Sequence, residues 1–151
     1  AAASTHTATT NADGSYALAL ADGDIRVVPM SDIDAADAVT EADAYALLSY
    51  IVAGGSADAR THIVGDVTGN GVLTAFDAAL ILRRASGWPE EFPAIVGCGW
   101  RTVYVPVGGV AGMSANLPDP ATCRQGEYVV PSGASSTDGV DFEAMHLGDV
   151  D

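Results

Sequence analysis

The chain of 151 residues has the length of one large domain or two small ones, and its 20 acidic and 6 basic side chains give a formal net charge of −14. This balance argues against nucleic acids and anionic membrane surfaces as partners, because both select basic proteins, and no apolar run reaches the roughly 18 residues of a membrane span. An acidic excess fits solubility, life at high salt, or binding of hard cations, and only the last requires carboxylates at fixed spacing.

The first segment, residues 1–30, is predicted to be β structure. It contains STHTATT, which is rich in β-branched residues, and SYALAL and IRVVP, which alternate apolar with other residues. Turn sequences, NADG and ADGD, stand between them. The segment resembles the final strands of immunoglobulin-like or carboxypeptidase-regulatory-like domains of secreted proteins. The resemblance implies antiparallel β structure whose earlier strands are missing.

Two runs with helical spacing follow, DAYALLSYIVAGG and DAALILRRASG. Each ends in Gly, which commonly stops a helix. The apolar stripes of the two runs are predicted to pack against each other as the core between two short helices. These stripes are Ala44, Leu47, Leu48 and Ile51 in the first run, and Ala78, Ile81, Leu82 and Ala85 in the second.

A 12-residue stretch with regularly spaced oxygen donors precedes the second run; it is DVTGNGVLTAFD, Asp66–Asp77. Calcium loops of the EF-hand type place ligands at positions 1, 3, 5, 7, 9 and 12, with Gly at position 6. Here Gly71 stands at the turn, and Leu73 at position 8 is expected to anchor the loop to its partner. The predicted calcium ligands are Asp66, Thr68, Asn70, the Val72 carbonyl, Thr74 and Asp77.

A similar stretch, DIDAADAVTEAD, precedes the first run, and an offset of 34 residues (66 − 32) superposes both loops and both helices. A second copy at the same period strengthens the prediction of a duplicated unit. Two positions depart from the pattern, since Ala36 has no donor at position 5 and Asp37 replaces the turn glycine. The predicted ligands are Asp32, Asp34, Asp37, the Ala38 carbonyl, Thr40 and Asp43.

Two features distinguish these loops from standard EF-hands. Position 12 is Asp in both, and no helix is predicted before either loop, since THIVG is short and β-branched. Residues 31–87, in particular GDVTGNGVLTAFDAALILRR, therefore resemble a dockerin repeat. The resemblance implies two bound calcium ions, paired antiparallel loop–helix units, an extracellular location and a cohesin-type protein partner. The chain departs from cellulosomal dockerins at loop positions 10 and 11, where it has Glu41-Ala42 and Ala75-Phe76 instead of Ser/Thr pairs.

Residues 88–151 return to β-like sequence in RTVYVPV, EYVV and VDFEAMHL, separated by Gly- and Pro-rich loops. Cys98 and Cys123 are the only cysteines, and in an oxidising compartment they are expected to form one disulfide; the alternative is two buried thiols. Two of its stretches, EEFPAIVGCGWRTVYVPV and DFEAMHLGDVD, look similar to tails that follow a dockerin-like repeat in some secreted bacterial proteins. Three interpretations of Asp149 and Asp151 stay open: they begin a third metal site, they cap an existing one, or they belong to a solvated acidic terminus.

The sequence contains no recognisable catalytic constellation. Its three His residues stand apart, and it has no zinc-binding, nucleophile-elbow or phosphate-loop motif. The prediction is an α+β, secreted, non-catalytic calcium-binding module that mediates protein association through self-assembly. The alternatives are a dockerin bound to a cohesin-type partner and an accessory domain of a secreted polysaccharide-degrading enzyme. The N-terminal β segment is expected either to add to a neighbour or to be closed by the C-terminal strands.

Overall fold

Three helices and five short strands form the part of the chain that the structure describes. The computed structural model describes residues 5–19, 25–30, 38–55, 58–99, 101–108, 114–133 and 140–150. The helices are α1 (Glu41–Ala53), α2 (Ala59–Gly65) and α3 (Ala75–Ala85). The strands are β1 (Ile25–Val27), β2 (Thr102–Gly108), β3 (Ser114–Asn116), β4 (Glu127–Val130) and β5 (Val140–His146). The α+β class predicted from the sequence is confirmed.

Helices α1 and α3 begin in the same way. Thr40 and Thr74 cap their N-termini, and each forms a reciprocal capping box with an Asp at the third helical position. Helix α1 ends at Gly54, whose left-handed backbone is the usual glycine stop. The two helices pack against each other through the predicted stripes, with Leu47 and Ile81 fully buried.

Helix α2 corrects the prediction that no helix precedes the second loop. It spans Ala59–Gly65 and so includes THIVG. The side chain of Asp58 accepts a hydrogen bond from the N–H of Thr61, which supplies the N-cap that a short helix needs. Val64 is buried against Val103 and Met145, so tertiary packing outweighs the weak helix propensity of its β-branched residues. The second loop is therefore flanked by helices on both sides.

The strands form two small antiparallel sheets. One has the order β1-β4-β3 and the other pairs β2 with β5. In the first sheet, Ile25 lies opposite Val130 and Val27 opposite Tyr128, so strands from before and after the helices share a sheet. Strand β3 lies in a stretch predicted to be a loop.

The N-terminal strands predicted in residues 5–10 and 15–19 are wrong, since the described residues there form no strand. The turn between them is confirmed, because Asn11 and Ser15 hydrogen-bond through Asn11 N–H and Ser15 C=O at 2.8 Å. Residues 5–15 are exposed throughout. Without apolar surface to bury, β-branched residues alone do not secure a strand.

The helical and β parts meet at two buried clusters. The larger contains the stripes of α1 and α3, except Ala85, together with Val39, Phe92, Ile95 and Leu147. The smaller joins Val64 to Val103 and Met145. Val150 packs against both clusters, so the end of the described chain lies between the helices and the β2-β5 sheet. Among the described residues, no helix has the length and apolar character needed to cross a membrane.

The predicted disulfide between Cys98 and Cys123 is confirmed. Each cysteine follows a 3-10 turn, Pro93–Ile95 in one case and Pro120–Thr122 in the other. Ile95 belongs to the helical core, whereas the second turn precedes β4. The bond therefore ties the helical core to the β1-β4-β3 sheet.

Reducing this disulfide is expected to destabilise the protein by about 3 kcal/mol, because it releases a closed loop with a sequence separation of 25 residues. Thermal unfolding with and without reductant measures the effect. The double variant Cys98→Ser/Cys123→Ser should melt at the temperature of the reduced protein, and reductant should not change its melting temperature. Two thiols that alkylate before any reduction would contradict the assignment.

Candidate metal centre

The second predicted calcium loop connects α2 to α3. Asp66, at position 1, is the C-terminal cap of α2, and Asp77, at position 12, is the third residue of α3. The two acidic residues of the loop are therefore each held by a helix end. This arrangement restricts how far apart the carboxylates can move.

The loop backbone wraps around the carboxylate of Asp66. Its Oδ1 accepts the N–H groups of Gly69 and Asn70 at 2.8 and 3.2 Å, and its Oδ2 accepts the N–H of Gly71 at 2.6 Å. Gly71 has a φ of 81°, in the left-handed region that favours glycine. The predicted turn at position 6 is thus confirmed.

Asp77 is completely buried, with 0% of its surface exposed. Its Oδ2 accepts the N–H and hydroxyl of Thr74 at 2.9 and 2.8 Å. Its Oδ1 accepts the N–H of Thr68 at 3.1 Å and lies 2.9 Å from the Thr68 hydroxyl. Because a buried carboxylate is costly unless it is hydrogen-bonded, paired or bound to metal, these contacts explain how it is accommodated.

The Thr68 hydroxyl lies between the two carboxylates of the loop. Its oxygen is 3.0 Å from Asp66 Oδ1 and 2.9 Å from Asp77 Oδ1. A hydroxyl has one hydrogen, so it can donate to only one of the two at a time. Oxygens from loop positions 1, 3 and 12 therefore converge, and the single hydroxyl hydrogen cannot serve both carboxylates at once. Clustered oxygen donors of this kind suit a hard cation such as calcium.

The other predicted ligands of this loop make local hydrogen bonds. Asn70 Oδ1 accepts the N–H of Val72 at 2.8 Å. Thr74 Oγ1 accepts the N–H of Phe76 at 3.3 Å while donating to Asp77. Among the described residues, no group of three or more His, Cys, Asp or Glu side chains is placed to hold a metal ion. The second loop contributes only two acidic side chains, so neutral oxygens would complete its set.

The described part of the first loop repeats the second. The N–H and hydroxyl of Thr40 donate to Asp43 Oδ2 at 2.7 and 2.9 Å, the pattern that Thr74 and Asp77 make. Asp43 is also 0% exposed. Val39, at position 8 of the first loop, lies in the helical core. Leu73, the predicted position-8 anchor of the second loop, packs against that core. Ala38 is half-buried in a turn.

The remaining predicted ligands of the first loop, Asp32, Asp34 and Asp37, lie outside the described residues, as does Asp151. Their predicted roles stay predictions.

The second oxygen of Asp43 binds a distant part of the chain. Its Oδ1 accepts the N–H of Val150 at 2.7 Å. A second hydrogen bond holds this part of the chain near Asp43, because the N–H of Gly148 donates to the Val64 carbonyl at 2.7 Å. Gly148 is buried, and Asp149 and Val150 are half-buried.

The contact between Val150 and Asp43 was not predicted from the sequence. The available signal was the repetition of Gly-Asp-Val at residues 65–67 and 148–150. Gly65 and Gly148 are both buried, and each lies against apolar side chains of the helical core. The repetition thus marks two backbone segments that pack on the same core.

Comparison of the chain with protein-family models, curated proteins and solved structures returned no match.

Proposed function

We propose that this chain is a non-catalytic, extracellular calcium-binding module, related to dockerins, that associates with copies of itself. The observation that carries the calcium part is that one carboxylate oxygen of Asp66 and one of Asp77 lie within 3.0 Å of the Thr68 hydroxyl oxygen. A calcium ion at this position would supply positive charge to the carboxylate that the single Thr68 hydroxyl hydrogen cannot serve. Asp66, Thr68 and Asp77 would hold it, with Asn70, the Val72 carbonyl and Thr74 as further oxygen donors.

The first loop is proposed to bind a second calcium ion. Asp43 and Thr40 repeat the geometry of Asp77 and Thr74, and the sequence adds Asp32, Asp34 and Asp37 to the same loop. Several carboxylates in one short loop repel one another until a cation is bound. Metal binding and folding of the helical part are therefore expected to be coupled.

Self-association is supported by the N-terminal arm, defined here as residues 5–10. All six residues are exposed and belong to no described strand. The arm reads THTATT, with β-branched Thr at alternate positions and no acidic, Lys or Arg side chain. Such a segment suits addition to an open sheet edge, where backbone hydrogen bonds supply affinity.

The test is the particle mass in millimolar calcium, measured by light scattering, for three proteins. The unaltered chain is expected to form oligomers or fibres. Thr7→Pro/Ala8→Pro, which removes two consecutive N–H donors from the arm, should weaken association at least about tenfold. Thr7→Ala keeps every N–H and serves as the matched control.

At protein concentrations low enough to keep all three monomeric, they should share one melting curve in calcium, because the arm makes no described contact with the core and association would itself raise the melting temperature. A strictly monomeric protein that binds a cohesin-like partner one to one would contradict self-assembly and favour the docking function.

A further inference from the structure

The hydrogen-bond ladder of the β2-β5 sheet shows which backbone groups point outward. The N–H of Leu147 donates to the Arg101 carbonyl at 3.0 Å, and Thr102 lies opposite His146. In an antiparallel ladder, bonds on either side of a residue pair identify it as a non-hydrogen-bonded pair, and the two kinds of pair alternate. Phe142 and Ala144 therefore direct their N–H and carbonyl groups away from β2.

Two side-chain contacts agree with this assignment. Residues 102 and 140 belong to the same outward-pointing set. The Thr102 carbonyl accepts Gln125 Nε2 at 3.2 Å, and the Val140 carbonyl accepts the Tyr16 hydroxyl. Both acceptors thus meet partners that lie outside the ladder.

The outer edge of β2 is closed. Pro106 has no N–H, and a Cβ built on Gly126 would lie 1.7 Å from the Tyr104 carbonyl, so the chain before β4 lies directly against this edge. The Thr102 carbonyl is also occupied, by Gln125. This edge has no room for another strand.

The outer edge of β5 is open. No described hydrogen bond reaches the outward groups of Phe142 or Ala144, and Ala144 is exposed. The Asp149 N–H occupies only the end of this edge, at the His146 carbonyl. An unpaired row of this kind favours pairing with another strand.

The N-terminal arm emerges beside this edge. Tyr16 is half-buried and bonded to Val140, and burial together with the nearby Asp141 charge raises the pKa of its hydroxyl. The turn at Asn11–Ser15 then leads to the arm, whose residues stay exposed although they are tethered next to β5. The chain thus carries an open edge and an unpaired strand-like segment that it does not bring together.

We propose that the outer edge of β5 accepts the N-terminal arm of a second copy of this chain as an added strand. The inference rests on the proposed self-association and names its acceptor. Two chains of net charge −14 repel each other, and the arm brings no acidic side chain to an edge that already carries Asp141 and Glu143. The arm combines exposed β-branched residues with the lack of a described strand partner.

The test mixes two separately purified variants in calcium under mild oxidation, each with one cysteine added to the Cys98–Cys123 disulfide pair. Thr7→Cys in the arm and Ala144→Cys on β5 should form a mixed disulfide dimer, identified by mass spectrometry of the linked peptides. Thr7→Cys mixed with Val52→Cys is the control, since Val52 is 84% exposed on α1, outside the proposed contact. The dimer of the first pair should exceed that of the second by at least about tenfold, as expected for thiols held at high effective concentration.

Three results would overturn this acceptor. Equal yields for the two pairs would assign the arm elsewhere, and self-association would survive if the particle mass still rises in calcium. Cross-linking only within one chain, when both cysteines are combined, would show that the arm closes its own sheet. A monomer under all conditions would remove the acceptor and the proposed self-assembly together.

Discussion

Chelating calcium is expected to lower the melting temperature of this protein by about 10 to 20 °C. Two sites held at about 100 times their dissociation constants would each stabilise the folded state by about 2.7 kcal/mol. In a chain of this size, each kcal/mol corresponds to roughly 2 to 4 °C. Differential scanning calorimetry in millimolar calcium and in excess chelator measures the shift.

The physical reason lies in the charges that the helix ends hold in place. Asp66 and Asp77 both approach the Thr68 hydroxyl, which can donate to one of them only. Without a cation, only hydrogen bonds offset the charges of these two neighbouring carboxylates, so like-charge repulsion between them opposes the folded loop. Because Asp77 is fixed by the capping box of α3, this repulsion acts directly against the start of that helix.

Asp66→Asn removes the negative charge but keeps the size of the side chain and one acceptor oxygen for the loop N–H groups. It should abolish about half of the calcium-dependent shift, the share of one site of two. Glu91→Gln removes one charge at an exposed position outside both loops and should leave the shift unchanged. Magnesium should substitute poorly, because it prefers a tight octahedral shell and keeps its waters. A melting temperature that is the same in calcium and in chelator would refute the calcium proposal.

The features that sequence predicted well are those determined within a few residues. The two helical runs were predicted close to where α1 and α3 lie. Local capping boxes of Thr40 with Asp43 and Thr74 with Asp77 begin these helices, although those residues were predicted from the sequence as calcium ligands and not as caps. The left-handed turn at Gly71 is local in the same way. The helix stripes were predictable because period-3.6 spacing determines which side chains share a face.

The features that sequence did not predict depend on distant contacts. Helix α2 is β-branched in THIVG and forms because Asp58 caps it and Val64 packs on the β2-β5 sheet. Residues 5–10 have strand-like composition but find no partner within the described chain. The bond from Val150 to Asp43 joins residues 107 positions apart, and no local pattern encodes such a pairing.

That bond makes Asp43 the residue on which two parts of the fold depend. Its Oδ2 closes the capping box of α1, and its Oδ1 accepts the N–H of Val150 at 2.7 Å. Val150 packs against both buried clusters. Asp43 therefore couples the start of the helical part to the chain that follows β5.

Asp43→Ala is expected to destabilise the protein by about 3 kcal/mol. The variant leaves the N–H groups of Thr40 and Val150 without their acceptor, and an unsatisfied, partly buried donor costs about 1 to 3 kcal/mol. Equilibrium urea unfolding measures the loss. The experiment is done in chelator, so that a lost calcium ligand cannot account for the result.

Glu41→Ala is the matched control, since Glu41 is an exposed acid in the same first turn of α1. It alters the same helix terminus without removing a buried acceptor, so its cost should stay within about 1 kcal/mol. The contrast with Asp66→Asn is equally informative, because Asp66→Asn should matter mainly in calcium whereas Asp43→Ala should matter in calcium and in chelator. If Asp43→Ala unfolds like Glu41→Ala when calcium is absent, then Asp43 is a metal ligand alone, and its bond to Val150 contributes nothing to stability.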